Sequence, residues 1–243
     1  MNAARGVAFQ VQVAVTQFVA SFQTAINPQI TKSYAQDDVR QTRQLVLRSS
    51  RLSYMLILFI TIPLLMATPW ILKLWLGTVP NHAVAFTRLL LLVSMVDAIA
   101  NPMMVAAAAT GRIKKYHICI GSILLMTLPI ALVCVKWLSL PIETIFVVLL
   151  STTILAQCAR MVLCSELFGL GVKDFSCQVL VRVFLVSIFA VCPLFLLFQR
   201  VEDLWQAIGA CALSELWLIV VVTLVGLQHD ERNFVLNKLK FRK

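Results

Sequence analysis

From residue 52 onward the chain is a succession of apolar runs separated by short polar or basic breaks. The runs cover 52–76, 84–110, 117–138, 144–168, 179–198 and 204–227, with few charges inside any of them. An α-helix rises about 1.5 Å per residue, so runs of this length cross a hydrocarbon core of about 30 Å. The pattern predicts spanning helices, because only internally hydrogen-bonded segments can cross a bilayer. Pro63, Pro69, Pro102, Pro129 and Pro193 lie within or near the ends of these runs. They are expected to bend helices rather than end them, since groups from neighbouring helices can satisfy the carbonyls that proline frees.

Residues 2–30 follow a different pattern. On a 100° wheel, Arg5, Gln12, Thr16, Gln23 and Asn27 form one narrow stripe, with Gln10, Gln17, Ser21 and Thr24 in a second stripe beside it. Val7, Val11, Val15, Phe18, Phe22 and Ile26 occupy the other side. This predicts a spanning helix whose valine and phenylalanine side faces lipid and whose polar side faces protein or a cavity. A helix lying flat at the membrane surface is the competing reading. The polar positions are amides and hydroxyls rather than lysines, which favours spanning. The polar stretch 31–51 then reads as a connection. Together these segments predict an all-α polytopic bundle of about seven spans, a single transmembrane domain over 1–243 with a basic tail at 228–243.

Composition strengthens this picture: 60% of the residues are hydrophobic and 13% are charged, against roughly a quarter charged in ordinary globular domains. The net charge of +10 does not point to nucleic acid, because the basic residues cluster between the apolar runs. With seven spans, one side collects Lys32, Arg40, Arg43, Arg48, Arg51, Arg112, Lys114, Lys115, Lys173, Arg232, Lys238, Lys240, Arg242 and Lys243. The other collects Lys73, Arg88, Lys136 and Arg200. The positive-inside rule puts the N-terminus outside and the C-terminus in the cytoplasm. Trp70, Trp75, Trp137 and Trp205 fall near the outer boundary, where an aromatic belt belongs. The seven cysteines form no C-x-x-C pair, and Cys119, Cys134, Cys158, Cys192 and Cys211 read as small apolar residues inside spans. No metal-ligand spacing, signal-peptide pattern or internal repeat is visible.

Ionisable groups at membrane depth are costly, so each is a candidate site. Arg5 sits on the amide stripe, and there a water-filled cavity is the expected neighbour. Asp97 and Asn101 lie one turn apart, followed by Pro102; Glu215 is in the last run; Gln157 and Arg160 share a face. Arg160 and Arg182 are expected to reach back to the cytoplasmic boundary, and Glu215 has a packing role as its alternative. Asp97 with Asn101 reads equally well as packing or as a site. No catalytic or nucleotide motif is present, so neither enzymatic activity nor a cofactor is expected.

The blocks N-A-A-R-G-V-A-F-Q-V at 2–11 and I-N-P-Q-I-T-K-S-Y-A at 26–35, supported by L-W-L-G-T-V-P at 74–80 and A-A-A-A-T-G-R-I-K at 106–114, resemble the lipopolysaccharide and capsule polysaccharide flippases of bacteria. That family belongs to the superfamily of MATE-type multidrug exporters and the lipid II flippase. The resemblance runs along the whole chain and matches the second of the family's two lobes, which rock around a central cavity. It implies a bacterial inner-membrane transporter moving an undecaprenyl-diphosphate-linked oligosaccharide, such as an O-antigen, capsule or exopolysaccharide unit, by alternating access. In that reading Arg5, Gln12, Thr16, Gln23 and Asn27 bind substrate, the arginine holding diphosphate. Asp97, Asn101 and Glu215 are the candidates for ion coupling. The partners are the lipid-linked glycan, membrane lipids, and the other lobe or a second copy; nucleic acid is not among them. A MATE-type drug or cation antiporter is the alternative and would want a carboxylate facing the cavity. A non-transporting membrane fragment or partner subunit is the other.

Overall fold

The apolar runs identified above are helical over most of their described length in the computed structural model, which describes residues 2–198, 201 and 203–226. Arg200, Leu227 and the basic tail 228–243 lie outside the described residues. The helices are α1 (Asn2–Ala35), α2 (Val39–Leu76), α3 (Ala83–Ala109), α4 (Ile113–Leu125), α5 (Thr127–Leu132), α6 (Thr144–Phe168), α7 (Val172–Phe175), α8 (Val181–Phe198) and α9 (Leu204–Val221). Short π-helical turns, Val133–Trp137, Ser176–Leu180 and Val222–Gly226, extend α5, join α7 to α8 and extend α9. The chain is an all-α polytopic bundle.

Among the described residues, six stretches are both long and apolar enough to cross a membrane: Val39–Leu76, Ala83–Ala109, Ile113–Trp137, Thr144–Phe168, Val172–Leu194 and Trp205–Gly226. α1 has the length, with 34 residues rising about 51 Å, but its amides dilute its hydropathy.

Several boundaries differ from the sequence expectation. The stretch 31–51 is not a loop: α1 runs on to Ala35 and α2 begins at Val39. The Asp38 carboxylate caps α2 by accepting from the Gln41 amide at 2.9 Å, and the arginines, glutamines and leucines that follow are good helix formers although polar. The run expected at 117–138 is broken at Met126, between α4 and α5. Pro129 has no N–H to offer the Leu125 carbonyl, so the helix is weakest there. The span expected at 179 already begins at Val172, since Lys173 and Asp174 are compatible with a first helical turn.

At three further prolines the freed carbonyls are satisfied from outside. Pro69, Pro102 and Pro193 lie inside continuous helices. Each removes the donor for the carbonyl four residues earlier. The Leu65 carbonyl instead accepts from Arg88 Nε at 2.9 Å, Ala98 accepts from Gln23 Nε2 at 3.0 Å, and Phe189 accepts from Trp217 Nε1 at 2.9 Å. Each donor comes from a different helix than the carbonyl it serves.

α3 is the central helix, packed by α1, α2 and α6, while α4 and α5 lean on α6 and α8 and α9 on α2. The core holds Ile57, Leu58, Leu91, Met103, Ala106 and Ala156, all buried. Leu125, Leu128, Leu132, Phe184, Phe189 and Leu216 point outward and exposed, an apolar girdle suited to lipid rather than water. At one end Arg43 Nε donates to the Phe168 carbonyl at 2.9 Å and Lys115 pairs with Glu166 at 2.5 Å. At the other, His82 pairs with Glu143 at the heads of α3 and α6. The exposed rings of Trp75, Trp137 and Trp205 lie at ends of helices on this second side.

Candidate functional site

The way α1 docks decides which of its residues are available. Its buried positions are Ala4, Ala8, Val15, Val19, Gln23, Ile30 and Ser33, spaced so that they make one stripe. The alanines at one end allow close approach to α3, and the docked face is centred between the apolar side and the first amide stripe. The expectation that the apolar side faces lipid therefore needs correcting: Val15 is in the core and Val11 packs against it, while Phe18 is exposed. The second stripe, Gln10, Gln17, Ser21 and Thr24, lies exposed on the far side.

The first stripe divides into held and available groups. Gln23 is buried and donates to Ser53 Oγ at 3.1 Å as well as to the Ala98 carbonyl. Asn27 Nδ2 approaches Asn101 Oδ1 at 3.4 Å, joining α1 to the turn that precedes Pro102. Thr16 Oγ1 donates to its own helix at the Gln12 carbonyl, 2.9 Å away. The Gln12 amide is half-buried and has no side-chain partner among the described residues. Arg5 is exposed, makes no ion pair with the described residues, and lines a cleft of about 460 Å³. The other walls of that cleft come from Phe86 of α3, Thr127, Leu128 and Leu132 of α5, and Phe146 and Leu149 of α6. The lining is almost wholly apolar, and the guanidinium is its charged group.

α1 and α6 flank α3 on different sides, so a seam lies between them with α3 as its floor. Phe86, Asp97, Asn101 and Met104 fall within one narrow sector of the α3 wheel, and Asp97 and Met104 are exposed there. The cleft by Arg5 and the Asn27–Asn101 contact thus belong to one surface. Glu215 does not. It is half-buried on α9, next to Cys211 on a helix packed against α2 and α8, and is not brought together with Asp97 and Asn101.

A second cluster lies behind the seam, on the α6 side. Arg160 is only 8% exposed, and neither its Nε nor its Nη1 makes a hydrogen bond of regular geometry among the described residues. It does not extend to the boundary as expected, because it is enclosed where α6 meets α3 and α4. Around it are Gln157, whose Oε1 is unsatisfied and whose Nε2 points at Met103 Sδ at 3.3 Å, and Tyr116 of α4. The Tyr116 hydroxyl feels the Arg160 charge but makes no hydrogen bond of regular geometry. The same charge acts on Asp97, yet the two form no ion pair. The sequence does place Gln157 and Arg160 on one face, but nothing in it brings Tyr116, from another helix, to them.

Among the described residues no group of three His, Cys, Asp or Glu side chains forms a metal-sized cluster, and all seven cysteines are free thiols. No family model, curated protein or solved structure matches this chain.

Proposed function

We propose that this chain forms one bundle of a bacterial inner-membrane transporter that translocates an undecaprenyl-diphosphate-linked oligosaccharide. The observation that carries the reading is the cleft beside Arg5. It offers apolar walls for a polyprenyl tail and a guanidinium, without an acidic partner among the described residues, for a diphosphate. The exposed amides of α1 can receive sugar hydroxyls. Those amides also call for a second bundle, from elsewhere in a longer polypeptide or from a second copy, to close a water-lined path. The N-terminus lies outside and the C-terminus in the cytoplasm, a reading supported by the basic asymmetry of the sequence.

One observation favours a cation exporter instead: Asp97 is exposed on the seam. Its carboxylate is opposed by Arg160, and Arg5 lies on the same seam. Two guanidinium charges against one carboxylate suit an anionic head better than a cationic drug.

The test is photo-crosslinking of the purified protein in lipid nanodiscs with a photoreactive polyprenyl diphosphate. Labelling is expected on Leu128, Leu132 and Ile145. Losing a charge-assisted contact worth about 1.5–3 kcal/mol, Arg5→Ala should reduce labelling at least about tenfold, with partial retention in Arg5→Lys. Labelling indifferent to Arg5, or competed equally by bulk phospholipid, would remove the cleft from the substrate path.

A further inference from the structure

The Arg160 cluster is a different kind of site from the Arg5 cleft. A guanidinium inside a membrane bundle needs a counter-charge and acceptors for its N–H groups. Among the described residues Arg160 Nε and Nη1, the Gln157 carbonyl oxygen and the Tyr116 hydroxyl make no hydrogen bond of regular geometry, and all three residues are at least nine-tenths buried, at 8%, 5% and 2% exposure. The Arg160 charge acts on Asp97, across the α3–α6 contact, a carboxylate exposed on the seam and without an ion-pair partner among the described residues. Opposing charges, with donors short of regular hydrogen bonds on one side and an open carboxylate on the other, describe a pair that is complete in a second arrangement.

We infer that Asp97 is a proton-binding site whose ionised carboxylate docks onto Arg160 and whose protonated form leaves it for the seam. The movement is a side-chain rotation on α3, and the step is the gain or loss of one proton at a carboxylate oxygen. In the docked arrangement the carboxylate fills donor positions on the guanidinium, and the site is neutral. Protonation removes the attraction and leaves a carboxyl group facing the seam, one turn from the Asn101–Asn27 contact.

A metal cation suits the site less well. Hard cations want several oxygen ligands and negative charge, whereas a single carboxylate is present here and Arg160 cancels it. The neighbouring helices bring other groups to this level of α3. α1 brings the neutral amides of Gln23 and Asn27, and α2 brings Ser50, Ser53 and the buried Arg51 at the same depth. α4 brings Tyr116, and α6 brings Arg160 and Cys164. Using this proton to drive transport rests on the transporter reading; the binding of the proton does not.

Infrared difference spectroscopy of the purified chain in nanodiscs, without any lipid-linked glycan, tests the site. A protonated-carboxyl band should appear as the pH is lowered, vanish in Asp97→Asn and persist in Glu215→Gln. Its midpoint should move by about one pH unit or more in Arg160→Gln and return toward the wild-type value in Arg160→Lys, which keeps the charge if the glutamine variant folds poorly. The midpoint should not respond to sodium. A band that survives Asp97→Asn, a midpoint unmoved between the two Arg160 variants, or a sodium-dependent midpoint would each overturn the inference. None of these outcomes depends on the Arg5 cleft, so the two readings fail separately.

Discussion

α1 and α8 both lie at the edge of the bundle and both leave a face uncovered, but they present opposite chemistry. On α8 the uncovered residues are Phe184, Leu185, Ile188 and Phe189, and lipid alone satisfies them. On α1 Phe9, Val13 and Phe18 are interleaved with Gln10, Gln17, Ser21 and Thr24. The hydroxyls of Ser21 and Thr24 fold back onto the carbonyls of Gln17 and Ala20 at 3.0 and 2.8 Å, so they ask nothing of the surroundings. The glutamine amides have no such recourse, and burying an unpaired amide in hydrocarbon costs several kcal/mol. An exposed helical face is therefore not one thing: α8 is finished by lipid, and α1 is finished by water or protein.

The strongest way to break this comparison is to put the same charge on both faces. Phe184→Arg should cost about 2.5–3.5 kcal/mol of insertion free energy and sharply lower the yield of folded protein in membranes. Gln17→Arg, on the uncovered face of α1, should leave the yield nearly unchanged when the chain is assembled with its second bundle. Equal losses would mean that both faces meet lipid. A smaller effect separates the two sides of α1 itself. Gln23→Leu orphans the Ala98 carbonyl and the Ser53 hydroxyl and should cost about 1–3 kcal/mol, seen as a lower melting temperature. Gln17→Leu should cost nothing by the same measurement, and a destabilisation of similar size would show that Gln17 is also buried against a partner.

The smallest effect concerns the end of the bundle nearest Arg5. Glu143 is held below the usual carboxylate range by its own backbone amide and, next, by His82. Its contribution is present above the ordinary carboxylate value and is lost as the pH falls through the lowered one. Thermal stability should therefore drop slightly in that acidic window, and Glu143→Gln should flatten the slope. A variant with the wild-type slope would assign the pH dependence to other carboxylates.

Much of the fold was legible because long apolar runs have few alternatives: each is helical over most of its described length, and Pro69, Pro102 and Pro193 lie inside helices. The stretch before Arg51 reads as a connection because it is polar, whereas Arg40, Arg43, Gln44 and Arg48 are polar and helix-favouring together. Candidate site residues were legible as types but not as partners. A wheel shows that Gln23 and Arg5 share a stripe; it does not show that Pro102 leaves a carbonyl within reach of one of them. The burial of Arg160 is not legible for a related reason, since its position along the run says nothing about α4 folding back over it.

The cross-helix donors at Pro69, Pro102 and Pro193 have a mechanical consequence. A proline bend is ordinarily a soft joint, free to flex because its backbone ladder is cut. Here each cut is bridged by a side chain rooted in another helix, so changing one bend angle means breaking a specific bond to a neighbour. The joints tie α2 to α3, α3 to α1, and α8 to α9. Stiffness is thus placed where a helical bundle would otherwise give way. Under load, these helices are built to travel together as a block and to leave large displacements to whatever surface they meet outside.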